Sequence, residues 1–138
     1  VDVSEKDKFF TQIGGIPLDK TIILVLGGSL GSKSLYEGLK KTLQKHPKRS
    51  KKFHFVVVGG FINTDVEKLF LDVFCVTTIG YLSQKQMGML CYYADVGLTR
   101  GGTTSLAEQT LYGMKLIIVP IPWTHDQHDN AEYYVKNY

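Results

Sequence analysis

Nine consecutive residues, Arg100, Gly101, Gly102, Thr103, Thr104, Ser105, Leu106, Ala107 and Glu108, join a glycine turn to a hydroxyl cluster and a helix start. Glycine lets backbone N–H groups approach a ligand, hydroxyls donate and accept, and a helix N-terminus favours negative charge, so the stretch suits a phosphate. Glu108 sits one helical turn in. Its two acceptor oxygens match the vicinal hydroxyls of a ribose. Ser105 with Glu108 also fits the capping box, in which the glutamate folds back to the N-cap N–H. Cap and ribose ligand are therefore rival roles, and both hold in turn if the side chain swings when a ligand binds. An unliganded structure is then expected to show Glu108 near the Ser105 N–H.

A second glycine loop, Gly27, Gly28, Ser29, Leu30 and Gly31, lies between an apolar run and a helical pattern. Its N–H groups would favour an anion, with Ser29 adding a hydroxyl, although glycine at such a turn also serves purely steric needs. Two loops of this kind after parallel strands can hold a diphosphate from both sides. A third polar cluster runs from His125 through Asp126, Gln127, His128 and Asp129 to Asn130. Its acceptors and amide donors suit sugar hydroxyls, with a helix cap at Asp126 or Asp129 as the alternative. The two histidines lack a third ligand at a recognisable spacing, so no metal site is expected.

Other chemistries find no support. Ser29 is not in a G-x-S-x-G elbow, G-x-x-x-x-G-K-[ST] is missing, and so is the G-x-G-x-x-G of NAD-binding folds. No cofactor is expected.

These loops need strands and helices to position them. A helix over Ser4 to Ile13 carries Phe9, Phe10 and Ile13 on one face and stops at Gly14 and Gly15. Thr21 to Leu26, Phe53 to Val58, Phe74 to Ile79, Ala94 to Thr99 and Leu116 to Ile121 are short apolar runs that read as strands. Between them, Leu35, Leu39 and Leu43 make a helical stripe, Thr64 with Glu67 and Ser83 with Gln86 offer capping boxes, and Gly113 stops the helix opened by the featured turn. A final helix begins near Asn130. Strands alternating with helices predict a parallel α/β architecture.

Composition sets the bounds. With 138 residues and 43% apolar content there is material for one domain and one core. No apolar stretch reaches membrane-span length and no basic-then-apolar leader opens the chain, so a cytoplasmic protein is expected. Cys75 and Cys91 sit in apolar runs and read as buried thiols. The net charge is +3, but Lys40 to Lys52 holds seven Lys/Arg and no acid. The reading preferred for that run is a solvated helix end stopped by Pro47. Its functional alternative is anionic lipid headgroups. No aromatic residues interleave the run, so nucleic acid is not expected as a partner.

The order of motifs has a family likeness. G-G-S-x-G from Gly27, A-D-x-x-x-x-R-x-G from Ala94 to Gly102 ahead of Glu108, and V-P-x-P followed by D-Q-x-x-N-A resemble the C-terminal donor domain of MurG-type N-acetylglucosaminyltransferases. The resemblance covers the whole chain, with Leu30 standing where the family often has glutamine. It implies one half of a GT-B fold: α/β, a Rossmann-like parallel sheet with helices on both faces. It implies an inverting, metal-independent transfer of N-acetylglucosamine from UDP-N-acetylglucosamine to a lipid-linked muramyl peptide in peptidoglycan synthesis, at the cytoplasmic face of the membrane. Carried over by motif, Gly28, Ser29 and Gly31 would meet the diphosphate. Thr103, Thr104 and Ser105 would serve phosphate and sugar, Glu108 would hold the ribose, and Arg100 and Gly102 would belong to the same donor-binding site. The backbone at Tyr81 and Leu82 would frame the uracil, and Asp126, Gln127 and Asn130 would select sugar hydroxyls.

The family's acceptor domain, with its catalytic base, has no match here, and its closing helices are also expected beyond this chain. On that reading residues 1–138 bind donor without transferring it efficiently. A related glycolipid glycosyltransferase, a UDP-sugar epimerase and a non-catalytic nucleotide-binding module are the alternatives.

Overall fold

The computed structural model describes residues 3–26, 33–58, 64–100 and 113–119, with residues 132, 133, 135 and 136 in helical backbone. In chain order these form α1 (Val3–Gln12), β1 (Thr21–Leu26), α2 (Lys33–Lys45), a 3-10 turn (Pro47–Lys51), β2 (Phe53–Val58), α3 (Thr64–Leu69), β3 (Val76–Ile79), α4 (Gln84–Tyr93), β4 (Val96–Thr99) and β5 (Lys115–Ile118). The strands make one sheet in the order β3-β2-β1-β4-β5. Every pairing is parallel.

Continuous apolar runs become central strands because alternate side chains face opposite layers. In β1, Ile22 and Leu24 enter a core with Phe9 and Phe10 of α1 and Leu90 and Cys91 of α4. Ile23 and Val25 enter the other, with Leu35, Tyr36, Leu39 and Leu43 of α2, Val66 of α3 and Phe70 in the turn that follows it. Helices thus cover both faces, as the motif likeness implied. Aromatic pairs lock each layer: Phe10 meets Tyr93 edge-on at 6.0 Å, and Tyr36 meets Phe70 at 6.4 Å.

β1 and β2 have the bounds expected from sequence, and three strands are shorter. β3 begins at Val76 because 71–75 is still turning: Val73 N–H donates to the Phe70 carbonyl, and Phe74 is 84% exposed. β4 begins at Val96 because Ala94 caps α4 and Asp95 turns its carboxylate onto the Ile22 N–H at 2.8 Å. β5 ends at Ile118, and residues 120 and 121 lie outside the described set. The Ser83 and Gln86 capping box is present with both reciprocal bonds. The Thr64 side chain, the expected helix over 105–112 and its box at Ser105 and Glu108 lie outside the described residues, while Gly113 has φ +68. Cys75 and Cys91 are buried and outside any disulfide.

The basic run closes α2 and forms the 3-10 turn after Pro47. Thr21 N–H donates to the Lys52 carbonyl, so this part of the run lies where β1 and β2 begin. Lys40 pairs with Asp72 at 3.2 Å.

His54 is buried on β2, its Nε2 2.7 Å from Thr77 Oγ1. Thr77 in turn lies under Gly14, where a Cβ would come within 2.9 Å of Thr77 Cγ2. Burial, assisted by the Lys20 charge, pushes the His54 imidazole below its ordinary value. A lowered folded pKa means that the unfolded chain binds the extra proton first. The contribution of His54 is then full above about pH 6.5 and is lost as pH falls from there through the folded value. Urea midpoints should therefore drop between pH 7 and pH 5, and His54→Gln should flatten that drop. Equal slopes for the two proteins would remove the assignment.

Candidate functional site

The register makes the carboxyl ends of the strands flush. Val58 pairs with Ile79 and Leu26 with Val58, Leu26 pairs with Thr99, and Thr99 with Ile118. Chain order reverses between β1 and β4, which makes their carboxyl ends the topological switch point where open parallel sheets take ligands. The segments leaving β1, β4 and β5 are the ones that carry the three sequence motifs. Neighbouring strands lie about 4.8 Å apart, so these segments depart within roughly 10 Å of one another. A phosphate, a ribose and a hexose could each be met by groups from adjacent strands.

Of the expected site residues, Arg100, Tyr81 and Leu82 are among those described. Arg100 follows β4 and is buried, at 4% exposure. Its Nη2 donates to Ser34 Oγ at 2.8 Å and its Nη1 to the Val119 carbonyl at 3.3 Å. Thr99, also buried, donates its hydroxyl to the Arg100 carbonyl at 3.2 Å. Burial lowers the Arg100 pKa, and Tyr36 acts in the opposite sense. Tyr81 and Leu82 follow β3 at the same end of the sheet, two strands from β1 and so about 10 Å away along it. Leu82 is half-buried against the core shared by α1 and α4, whereas the Tyr81 side chain is exposed. Ser83 then fixes the backbone by capping α4. Gly28, Ser29, Gly31, Gly102, Thr103, Thr104, Ser105, Glu108, Asp126, Gln127 and Asn130 lie outside the described residues.

Two residues that tie the strands were not visible in the sequence: Ser34 at the site end, and Asp95 at the opposite, amino end of β1 and β4. Asp95 holds the start of β1 against β4 twice: its carboxylate accepts from the Ile22 N–H, and its own N–H donates to the Ile22 carbonyl at 2.9 Å. Ser34, in the first turn of α2, receives Arg100. Asp95 stands within the A-D motif, which could have drawn attention to it. Nothing local marks Ser34.

Known proteins agree with this geometry. A 115-residue stretch is 31% identical to the UDP-N-acetylglucosamine–N-acetylmuramyl-(pentapeptide) pyrophosphoryl-undecaprenol N-acetylglucosamine transferase of Neisseria meningitidis serogroup C, covering 79% of this chain and 30% of that protein. The enzyme of the same name from Desulfotalea psychrophila is 43% identical over 54 residues, 38% of this chain and 15% of its own length. The chain spans only 15% to 36% of such relatives. Among solved structures, a UDP-GlcNAc 2-epimerase from Neisseria meningitidis bound to UDP-GlcNAc aligns with TM-score 0.67 at 17% identity, over 95% of this chain and 34% of that one. The glycotransferase of kitacinnamycin aligns with TM-score 0.66 at 24% identity, over 87% and 29%. At these identities the two structures speak for the fold alone. The family model for the glycosyltransferase family 28 C-terminal domain matches residues 22–138. With the MurG-like motif order, the Rossmann-like sheet and that match in agreement, the chain belongs to glycosyltransferase family 28 as its C-terminal, nucleotide-sugar domain.

Proposed function

We propose that this chain holds the UDP-sugar donor of an inverting glycosyltransferase, with UDP-N-acetylglucosamine as donor and a lipid-linked muramyl peptide as acceptor. The observation that carries the reading is the pairing of Leu26 with Thr99, from which both glycine loops depart at the β1/β4 switch point. The names of the sequence relatives support the choice of donor and acceptor. In this scheme Gly28, Ser29, Gly31, Gly102 and the hydroxyls of 103–105 surround the diphosphate. Glu108 takes the ribose, the backbone at Tyr81 and Leu82 takes the uracil, and Asp126, Gln127 and Asn130 take the hexose. Helix N-termini stabilise the departing diphosphate. The acceptor hydroxyl and its base come from a partner domain, and the isolated chain binds donor without efficient transfer.

Calorimetry with UDP should show micromolar binding, about 8 kcal/mol, with ADP at least tenfold weaker. A folded protein that leaves UDP unbound would sink the proposal. Among the described residues no helix is long and apolar enough to cross a membrane. We place the enzyme's membrane contact at the cytoplasmic face, as a peripheral association. Release of free sugar without an acceptor would favour an epimerase instead.

A further inference from the structure

Arg100 presents an electrostatic problem. A buried guanidinium stays charged and carries five N–H donors. Here it meets two neutral acceptors, Ser34 Oγ and the Val119 carbonyl, and its Nε–H has no hydrogen-bond partner. Among the described residues no carboxylate pairs with it. Buried cations are ordinarily paired, because neutral partners recover only part of the lost hydration. A neutral side chain of similar shape would bridge the same two groups at less electrostatic expense.

The position of the charge supplies the reason for it. Ser34 lies in the first turn of α2, a 13-residue helix whose N-terminus carries partial positive charge. Val119 follows β5, and Arg100 itself follows β4. One side chain therefore ties together the chain segments bordering the β1, β4 and β5 ends, and adds a full positive charge beside a helix N-terminus. Both features favour an anion at the same place.

We propose that Arg100 is a positioning residue coupled to a diphosphate: through Ser34 and Val119 it sets the spacing of the three segments, and its charge is balanced only when that anion is bound. Identifying the anion as the diphosphate of a nucleotide rests on the function proposed above, whereas the need of the Arg100 charge for an anion does not.

Thermal unfolding with inorganic pyrophosphate, against sodium chloride at matched ionic strength, tests the coupling. Pyrophosphate should raise the midpoint of the unaltered protein by several degrees, as a ligand of the folded state does. Arg100→Gln should lose at least two thirds of that rise. Ser34→Ala, which keeps the charge but cuts one arm, should weaken pyrophosphate binding at least threefold, and Ser34→Thr should restore it. An unshifted midpoint in the unaltered protein overturns the proposal. So does a full rise in Arg100→Gln or an unchanged affinity in Ser34→Ala. If Arg100→Gln does not fold, the two Ser34 variants decide. UDP binding no tighter than pyrophosphate would remove the nucleotide assignment and leave the role of Arg100 standing.

Discussion

Glu108→Ala is expected to weaken UDP binding about a hundredfold, near 2.7 kcal/mol. A carboxylate accepting from two ribose hydroxyls makes two charge-assisted hydrogen bonds, each worth about 1.5–3 kcal/mol. Solvation of the freed hydroxyls returns part of that sum. The rival role, a cap over the helix start at Ser105, gives a different pattern. A lost cap costs roughly 0.5–2 kcal/mol of stability and leaves the ligand untouched. Glu108→Gln separates the two, since glutamine serves the capping box as well as glutamate does but carries no charge. If glutamine keeps both stability and UDP affinity while alanine loses only stability, the ribose role is wrong. Calorimetry and urea unfolding on the same three proteins give the result.

The largest loss of stability is expected for Phe10→Ala, about 3–5 kcal/mol by urea denaturation. Phe10 is fully buried, touches Phe9 and Tyr93 through its ring, and sits in the core below β1 and α4. A domain of this kind has about 5–15 kcal/mol in total, so the variant loses a large share of it. A cost below about 1 kcal/mol would mean that α1 is not needed to cover that face. The point bears on the family, because the matched region begins at residue 22 and omits α1. Phe9 and Phe10 are nonetheless among the residues that close one layer. A version trimmed to the family boundary should behave like Phe10→Ala or worse.

The sheet was legible where one-dimensional signals are strong. Ile22 to Val25 and Phe55 to Val57 are continuous apolar runs, which central parallel strands require, and their bounds follow directly. Ser83 with Gln86 was legible because a capping box is local. Phe74 misled, since an apolar residue beside a strand reads as strand while here it lies exposed in the preceding turn. At the candidate site, glycines and hydroxyls drew attention to the segments that follow β1 and β4. The ties that set their spacing were hidden, because Arg100 and Ser34 are 66 positions apart and neither type signals the other. Asp95 looked like part of a motif, and its work on the Ile22 N–H appears only once β1 and β4 are side by side.

The distance along the chain between β1 and β4 also governs how the molecule assembles. Ile22 and Asp95 are 73 residues apart, with β2 and β3 made in between. Strands β1, β2 and β3 join by successive neighbouring crossovers, whereas β4 must return across the sheet to the free edge of β1 and can pair there only once the chain has been made as far as Thr99. On a translating ribosome the first three strands can pair while the switch point does not yet exist. The β1/β4 switch point is therefore the late-maturing part of the domain, and any ligand held there would stabilise the final step of folding rather than the early ones.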